Sequence, residues 1–368
     1  MFDRRLLIHF DWFLCLLVLL ICSLGMLAMF SVASGSPVKA DYLIRQAYWL
    51  GAGILVAALT QLIHYRTWAR IGLMLHMIVI LLLILVLIYG TGGPGTTVQR
   101  WLNLGPVFIQ PSEFSKFTLV LAVSHYFRED NHFYQHGWLK MFWPTLLMAV
   151  PVVLIVKQPD LGTALLLIVI FAPMAFMMGI RYKTLFALLG LVILSLPIAW
   201  KYLLKPYQQD RIMTFLDPDL DPLGSGYHVI QSKIAVGSGE IWGKGLGNGT
   251  QGQLNFLPAD HTDFIFSVFS EEWGFMGSMT VLILFLLLTL WALGGIYKST
   301  NRVNMIMTVG LVGIITSHVL INIGMTLGLM PVVGVPLPFF SYGGSSMVSM
   351  MFGIGLLLNI RMRRFEGI

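Results

Sequence analysis

Apolar residues along this chain fall into uninterrupted blocks, most of them about 20 residues long, which shorter polar segments separate. A helix of that length crosses the roughly 30 Å hydrocarbon core of a membrane. We predict spans at residues 11–30, 46–64, 70–90, 113–127, 141–157, 162–180, 184–203, 264–296, 305–329 and 343–360. The pattern therefore predicts an all-α polytopic membrane protein, with residues 1–368 forming one domain, a single bundle of about ten transmembrane helices.

The composition excludes a soluble globular protein, because 57% of the residues are hydrophobic and only 11% are charged. Soluble domains carry roughly 25% charged residues. The net charge of +6 favours contact with anionic membrane lipid, and no basic stretch is dense enough to suggest nucleic acid. Cys15 and Cys22 lie seven residues apart on one predicted helix, so we expect core packing rather than a disulfide or a metal site.

Positive residues predict the orientation of the bundle. More than half of the 23 Lys and Arg residues lie in short segments on one side, and such segments face the cytoplasm. With an even number of spans, both termini are then cytoplasmic. The first block is expected to be an uncleaved helix rather than a signal peptide. The longest connection, residues 204–262, becomes an extracytoplasmic loop between predicted helices 7 and 8.

Three segments on the predicted outer side, residues 90–112, 204–262 and 331–344, are unusual. The last contains three prolines and is too apolar for a solvated loop. Irregular backbone at membrane depth persists only where protein buries it or water reaches it. We therefore expect an outward-facing cavity that the long loop covers. Within that loop, residues 226–236 carry a helical apolar stripe, which suits either an interfacial helix lying on the bundle or a loop helix packed on the roof of the cavity.

Asp263 stands where the long polar loop meets an apolar helix. An ionisable side chain at a membrane boundary is a functional candidate, and the alternative is a helix N-terminal carboxylate that the macrodipole stabilises. The predicted helix is longer than the bilayer is thick, so we expect a bend at Gly274 or Gly277. Ser267 and Ser270 share a helical face with Asp263, which suits a substrate groove.

Four more charged residues lie on the predicted outer side, three of them at helix ends and one in the first outer segment. Glu113 and Lys116 are three residues apart and can form an intrahelical ion pair. Alternatively, Lys116 neutralises a phosphate group or orients Asp263, with Glu113 as its counter-charge. Asp160 either caps the next helix or faces the cavity. Arg100, beside a tryptophan, is a candidate clamp for phosphate or pyrophosphate.

The glycine-rich run at residues 237–252 is interpreted as turn chemistry. It lacks the strand, helix and Ser or Thr that dinucleotide and phosphate loops require. None of the nine histidines has a metal-ligand spacing, and His261 is the only one whose position near Asp263 suggests a role.

Several polar motifs on the predicted outer side are long and specific. They are Gln99-Arg100-Trp101-Leu102, Gln110-Pro111-Ser112-Glu113 with Lys116, Gln158-Pro159-Asp160-Leu161-Gly162-Thr163, Asp221-Pro222-Leu223-Gly224-Ser225-Gly226-Tyr227-His228, Gln231-Ser232-Lys233-Ile234-Ala235, His261-Thr262-Asp263-Phe264-Ile265-Phe266, and residues 331–338 with Ser341-Tyr342-Gly343-Gly344. Through these motifs the chain resembles the SEDS family of shape, elongation, division and sporulation proteins, from its first outer loop to its end.

The resemblance implies a peptidoglycan glycosyltransferase that polymerises lipid II at the outer face of the bacterial cytoplasmic membrane, during cell elongation and rod-shape maintenance. It also implies a complex with a class B penicillin-binding protein, the transpeptidase that crosslinks the new glycan. The short termini resemble the elongation members more than the division members. By motif, Asp263 corresponds to the catalytic residue. The implied substrate-binding residues are Arg100, Glu113, Lys116, Asp160, Lys233 and Ser341.

Strand growth requires the GlcNAc 4-hydroxyl of the acceptor to attack the anomeric carbon of the donor while polyprenyl pyrophosphate leaves. We expect Asp263 to act as general base and Arg100 with Lys116 to hold the pyrophosphate. A divalent cation, Mg²⁺ or Mn²⁺, is compatible with this chemistry, although the sequence shows no dedicated metal cage. Two alternatives stay open: a lipid II flippase, and a non-catalytic scaffold for the transpeptidase, which predicts that Asp263 is replaceable.

Overall fold

The computed structural model describes residues 9–34, 37–92, 99–103, 105, 108–128, 138–180, 206–217, 225–254, 256–257, 261–296 and 301–363, with isolated residues between 183 and 201. The helices are α1 (Trp12–Ser34), α2 (Pro37–Thr60), α3 (Tyr65–Tyr89), α4 (Pro111–Tyr126), α5 (Trp138–Lys157), α6 (Leu161–Met177), α7 (Pro206–Leu216), α8 (Ser225–Ser238), α9 (Thr250–Gln253), α10 (Ile265–Gly294), α11 (Arg302–Thr326) and α12 (Gly344–Met362). The strands are β1 (Thr91–Gly92), β2 (Gln99–Asn103) and β3 (Phe108–Ile109).

The predicted helical membrane protein is confirmed. Within the described residues, seven helices are long and apolar enough to cross a membrane: α1, α2, α3, α5, α10, α11 and α12. The predicted fourth and sixth spans form the shorter helices α4 and α6, of 16 and 17 residues. The predicted seventh span, residues 184–203, lies mostly outside the described residues, so the count of ten stays a prediction.

The centre of the bundle is formed by α4, α11 and α12. Most residues of α4 are buried. In the most apolar stretch of α11 and of α12, 78% of the residues are buried, against 17% in α2 and 28% in α3. The outer helices therefore present apolar side chains to lipid, which is as apolar as they are, and only the inner helices are enclosed by protein. Because α11 is enclosed by protein, it can carry the buried polar side chains His318 and Asn322, which contact the site described below.

The two ends of the described chain meet on one side of the bundle. Asp11, just before α1, forms an ion pair with Arg361 near the end of α12. The indole nitrogen of Trp291 donates to both oxygens of Asp11, at 3.0 Å. Both described ends therefore lie at the same face, as an even number of spans requires, and the assignment of that face to the cytoplasm stays a prediction.

The first outer segment contains a small antiparallel sheet that the helical prediction lacks. Strand β2 pairs with β1 through Thr91 and Trp101, and with β3 through Leu102 and Ile109. Strand β2 spans only five positions, which is too few for an alternation of polar and apolar residues to be recognised between the long apolar blocks on either side. The sheet places Arg100 on its central strand.

The long loop contains α7, α8 and α9, and α8 packs on the bundle, as one of the two interpretations of residues 226–236 had it. The hydroxyl of Ser267 on α10 donates to Ser232 at 2.6 Å, and Ser232 donates to the Thr326 carbonyl at 2.7 Å. Ser270 donates to the Phe266 carbonyl. The predicted groove face with Ser267 and Ser270 is therefore wrong, because these serines are buried in helix contacts.

Helix α10 bends at Gly274, one of the two predicted positions. Its dihedral angles, φ 64° and ψ −162°, fall in a region that is accessible almost only to glycine. The glycine-rich run, interpreted as turn chemistry, docks on this bend, with positive φ at Gly243, Gly245 and Gly247.

Candidate active site

Asp263 lies in the turn that precedes α10, two residues before the first helical residue, Ile265. Its main-chain carbonyl accepts a hydrogen bond from the side-chain amide of Asn322 at 3.0 Å, and the same nitrogen donates to the Val335 carbonyl at 2.8 Å. A Cβ on Gly334 would lie 3.5 Å from the Asp263 Oδ2 atom. Asp263 is partly exposed, and its carboxylate lies against the main chain of Gly334, which has a φ of 70°.

The proline-rich segment, residues 331–343, holds the turn around Asp263. The Ser341 hydroxyl donates to the Thr262 carbonyl at 2.6 Å and accepts from the Leu337 amide at 2.8 Å. The Tyr342 amide donates to the His261 carbonyl at 2.9 Å. The segment has neither helix nor strand. Ser341 is buried and engaged by main-chain groups, so its observed contacts position the backbone, and its contact with substrate stays a prediction.

Arg100 and Asp160 come together across a long sequence separation. Arg100 Nη1 lies 3.6 Å from Asp160 Oδ1, and the guanidinium also donates to the carbonyls of Gln158 and Pro159. Asp160 is the N-cap of α6, as one alternative had it, and accepts from the Thr163 amide and hydroxyl at 3.3 and 2.9 Å. The negative charge of Asp160 therefore stabilises the N-terminus of α6 and also pairs with Arg100.

Burial raises the pKa of Asp263 to about 6, the largest of several influences. The positive charges of Arg211, His261 and Arg100 oppose this rise, and the charge of Asp160 adds to it. Arg100 and Asp160 are therefore near enough to Asp263 to influence its pKa. A carboxyl group with a pKa near 6 is mostly ionised at neutral pH and can accept a proton there.

Sequence analysis missed Arg211, the strongest of the cationic influences on Asp263. This residue lies on the short helix α7 of the long loop, and its Nη1 atom donates to the Val332 carbonyl at 3.1 Å. Nothing in its local sequence marks it, because only the docking of α7 on the proline-rich segment brings it near Asp263. His261, which sequence analysis did single out, is stacked on Tyr42 at a centroid distance of 4.6 Å.

Glu113 and Lys116 form the ion pair that their spacing predicted. Lys116 is fully buried, and its Nζ atom donates to Glu113 Oε2 at 2.9 Å and to His318 Nε2 at 2.8 Å. His318 Nδ1 lies 3.0 Å from the Pro336 carbonyl, so the ring proton sits on Nδ1 and Nε2 accepts from Lys116. The pair is therefore tied to the proline-rich segment, and direct contact of Lys116 with phosphate stays a prediction.

Lys233 lies on the exposed side of α8, with its ammonium group over Gly328, just beyond the last residue of α11. A cation at a helix C-terminus is stabilised by the macrodipole. The predicted role of Lys233 in substrate binding remains a prediction.

Within the ranges that the structure describes, no group of three or more His, Cys, Asp or Glu side chains is arranged to hold a metal ion. The nearby carboxylates, Asp263 and Asp160, are hard oxygen donors of the type that Mg²⁺ and Mn²⁺ prefer. A divalent cation bound jointly with a pyrophosphate group stays a prediction.

Comparison with known proteins identifies the family of the chain. The family model described as "Cell cycle protein" (FtsW, RodA and SpoVE) matches residues 11–366. The chain is 38% identical over 362 residues to the peptidoglycan glycosyltransferase MrdB of Escherichia coli, covering 97% of this chain and 95% of MrdB.

Two solved structures share the fold over nearly the whole chain. A chain from a peptidoglycan synthase complex, described as coordinating polymerization and crosslinking, is 33% identical, with a TM-score of 0.81 and coverage of 97% of this chain and 99% of that chain. The rod shape determining protein RodA of Thermus thermophilus is 31% identical, with a TM-score of 0.71 and coverage of 97% and 98%. The chain therefore belongs to the FtsW/RodA/SpoVE family, the SEDS proteins.

Proposed function

We propose that this multi-pass inner membrane protein is a peptidoglycan glycosyltransferase of cell elongation, which polymerises lipid II into glycan strands with Asp263 as the general base. The name of the Escherichia coli relative supports the reaction class. The observation that carries the residue assignment is the placement of Asp263, a partly exposed carboxylate with a pKa near 6 among cationic side chains.

In the proposed reaction, the 4-hydroxyl oxygen of the acceptor GlcNAc forms a bond to the anomeric carbon of the donor MurNAc. The bond from that carbon to the pyrophosphate oxygen breaks, and its electron pair leaves with the polyprenyl pyrophosphate. The hydroxyl proton passes to the Asp263 carboxylate. A base whose pKa is close to the working pH combines a large ionised fraction with a sufficient affinity for the proton.

The negative charge that develops on the leaving pyrophosphate requires cations. Arg100 suits this role because its side chain is 23% exposed and the backbone carbonyls of two residues fix its guanidinium group. Arg211 adds a second positive charge from the long loop. Lys116 lies deeper and supports the site through His318. A Mg²⁺ or Mn²⁺ ion shared with the pyrophosphate would take most of its oxygen ligands from the substrate and from water, because the described residues contain no group of three metal-ligating side chains.

The proposed partner is a class B penicillin-binding protein, whose transpeptidase domain crosslinks the new strands. The similar chain from a peptidoglycan synthase complex supports a partner that couples polymerization to crosslinking.

The test is glycan synthesis from purified lipid II, with the cognate penicillin-binding protein present, by wild type, Asp263→Asn and Asp210→Asn. Asp210 is an exposed carboxylate on α7 and serves as the matched control. Loss of a general base lowers the rate by about 10²–10⁴-fold, so we expect that loss for Asp263→Asn and near wild-type rates for Asp210→Asn. Equal rates for all three folded proteins would refute the assignment. Lipid II translocation in vesicles would then separate the flippase from the scaffold.

A further inference from the structure

The glycine-rich loop, residues 239–249, completes the hydrogen bonding of α10 at its bend. The Phe275 and Met276 amides donate to the carbonyls of Glu240 and Ile241, at 2.8 and 3.1 Å. In return, the carbonyl of Glu271 accepts from the Lys244 amide at 3.1 Å. A helix interruption at membrane depth is tolerated only when such partners replace the lost helical hydrogen bonds. The loop is therefore fixed to α10 at a defined height.

Two buried carboxylates of α10 accept hydrogen bonds from the polar side of this loop. Glu271 accepts from Lys244 Nζ at 2.6 Å and from the Thr250 amide at 2.8 Å. Glu272 accepts from the Gly247 amide at 3.2 Å and from the Ser31 hydroxyl on α1. Because Lys244 is already paired with Glu271, its positive charge does not require this part of the loop to stay in bulk water.

Two large apolar side chains of the loop face outward, beside the exposed Glu240. Ile241 is 55% exposed and Trp242 is 79% exposed. They lie beside Phe275 and Met276 of α10, which are also exposed, at 56% and 49%. The apolar tip of the loop thus continues the outward-facing surface of a helix that crosses the membrane.

Helix lengths give the depth of this tip. From Phe275 to the end of α10 at Gly294 there are about 20 residues, or roughly 30 Å, which equals the hydrocarbon thickness. An independent measure comes from α1, where about 19 residues, or roughly 29 Å, separate Trp12 from Ser31, the residue that bonds Glu272. At the opposite end, Trp291 and Asp11 meet at the other boundary of the bundle.

We propose that Ile241 and Trp242 form a membrane anchor, which inserts into the headgroup–acyl boundary of the leaflet on the Asp263 side. Tryptophan is enriched at this level because its apolar ring and polar N–H group match the two sides of the boundary. The occupant of the apolar surface is phospholipid. Since the loop is hydrogen-bonded to the bend of α10, the anchor sets the height of the preceding turn, and with it the height of Asp263 above the hydrocarbon.

The test measures the depth of a nitroxide spin label in vesicles of phosphatidylethanolamine and phosphatidylglycerol. Cys15→Ala and Cys22→Ala remove the native thiols, and single labels are placed at Trp242→Cys, at Ile283→Cys on the exposed apolar face of α10, and at Asp210→Cys on exposed α7. Power saturation with oxygen and with a water-soluble nickel chelate gives each depth. Thermal unfolding and lipid II polymerisation confirm that each labelled protein is folded.

We expect the Trp242→Cys label to be more accessible to oxygen and less accessible to the nickel chelate than the Asp210→Cys label, and shallower than the Ile283→Cys label. A Trp242→Cys label as accessible to the nickel chelate as the Asp210→Cys label would overturn the proposal. So would a label shielded from both reagents, either in the protein alone or after addition of the cognate transpeptidase, because that result indicates a protein partner instead of lipid. An unchanged oxygen accessibility with the transpeptidase bound supports the anchor.

Discussion

The buried ion pair of α4 gives a quantitative prediction about what supports the site. Lys116 has no exposed surface, and its ammonium group is the counter-charge of Glu113, at 2.9 Å. The substitution Lys116→Met keeps the apolar stem and removes the charge. Removing one partner of a buried pair leaves an uncompensated charge and costs about 3–5 kcal/mol. We expect Lys116→Met to lower the free energy of unfolding by this amount.

The matched double variant, Glu113→Gln with Lys116→Met, removes both charges. Replacing a whole buried pair by groups of similar volume is often close to neutral. The remaining cost comes from His318 Nε2, which loses its donor from Lys116, and an unsatisfied buried acceptor costs about 1–3 kcal/mol. We therefore expect the double variant to regain most of the stability that Lys116→Met loses.

Unfolding of purified protein in mixed detergent micelles, titrated with denaturing detergent, measures these free energies for wild type, both single variants and the double variant. The reasoning fails if Lys116→Met is as stable as wild type, or if the double variant is no more stable than Lys116→Met. Lipid II polymerisation then separates two roles of Lys116. A stable and active double variant assigns it to support of the fold, whereas a stable but inactive one assigns it to the substrate.

Three further variants test two contacts around Asp263 and the bend of α10. Arg211→Ala removes a positive charge that lowers the pKa of Asp263. The acidic limb of the rate–pH profile, expected near pH 6, should therefore move to higher pH. A limb that does not move would show that Arg211 does not influence the base. Asn322→Leu leaves the carbonyl of Asp263 without its donor, so kcat should fall more than KM rises in steady-state assays, and a pure KM effect would contradict a positioning role. Gly274→Ala introduces a strained φ and a clash with the Ile241 carbonyl. It should lower the free energy of unfolding by at least about 1–3 kcal/mol, as measured by detergent titration. An unchanged free energy would show that the bend is not required.

Features that depend on residues close in sequence could be predicted. The Glu113–Lys116 pair follows from helical spacing, because side chains three residues apart meet on one face. The cap at Asp160 follows from its position before an apolar run. The bend at Gly274 follows from a helix longer than the membrane with a glycine near the boundary. Each signal lies within one element, so no tertiary contact was needed to read it.

Features that depend on distant contacts could not be predicted. Arg211 and His318 reach the site only because α7 and α11 meet the proline-rich segment, and neither stands in a local pattern that marks a function. The error over Ser267 has the same origin. A polar stripe on a helix fits a groove or a buried contact equally well, and only the position of Ser232 on α8 decides between them.

The contacts around Asp263 explain how a single carboxylate can be placed accurately in an irregular part of the chain. The main chain of the turn is held at three successive residues, by Tyr342 at His261, by Ser341 at Thr262 and by Asn322 at Asp263. These bonds use backbone carbonyls and none of them uses the carboxylate oxygens. A general base needs a fixed position and a free oxygen to receive the proton, and holding the residue by its backbone provides both. The proline-rich segment thus gives the turn the rigidity that a helix would have given, while the side chain stays available for chemistry.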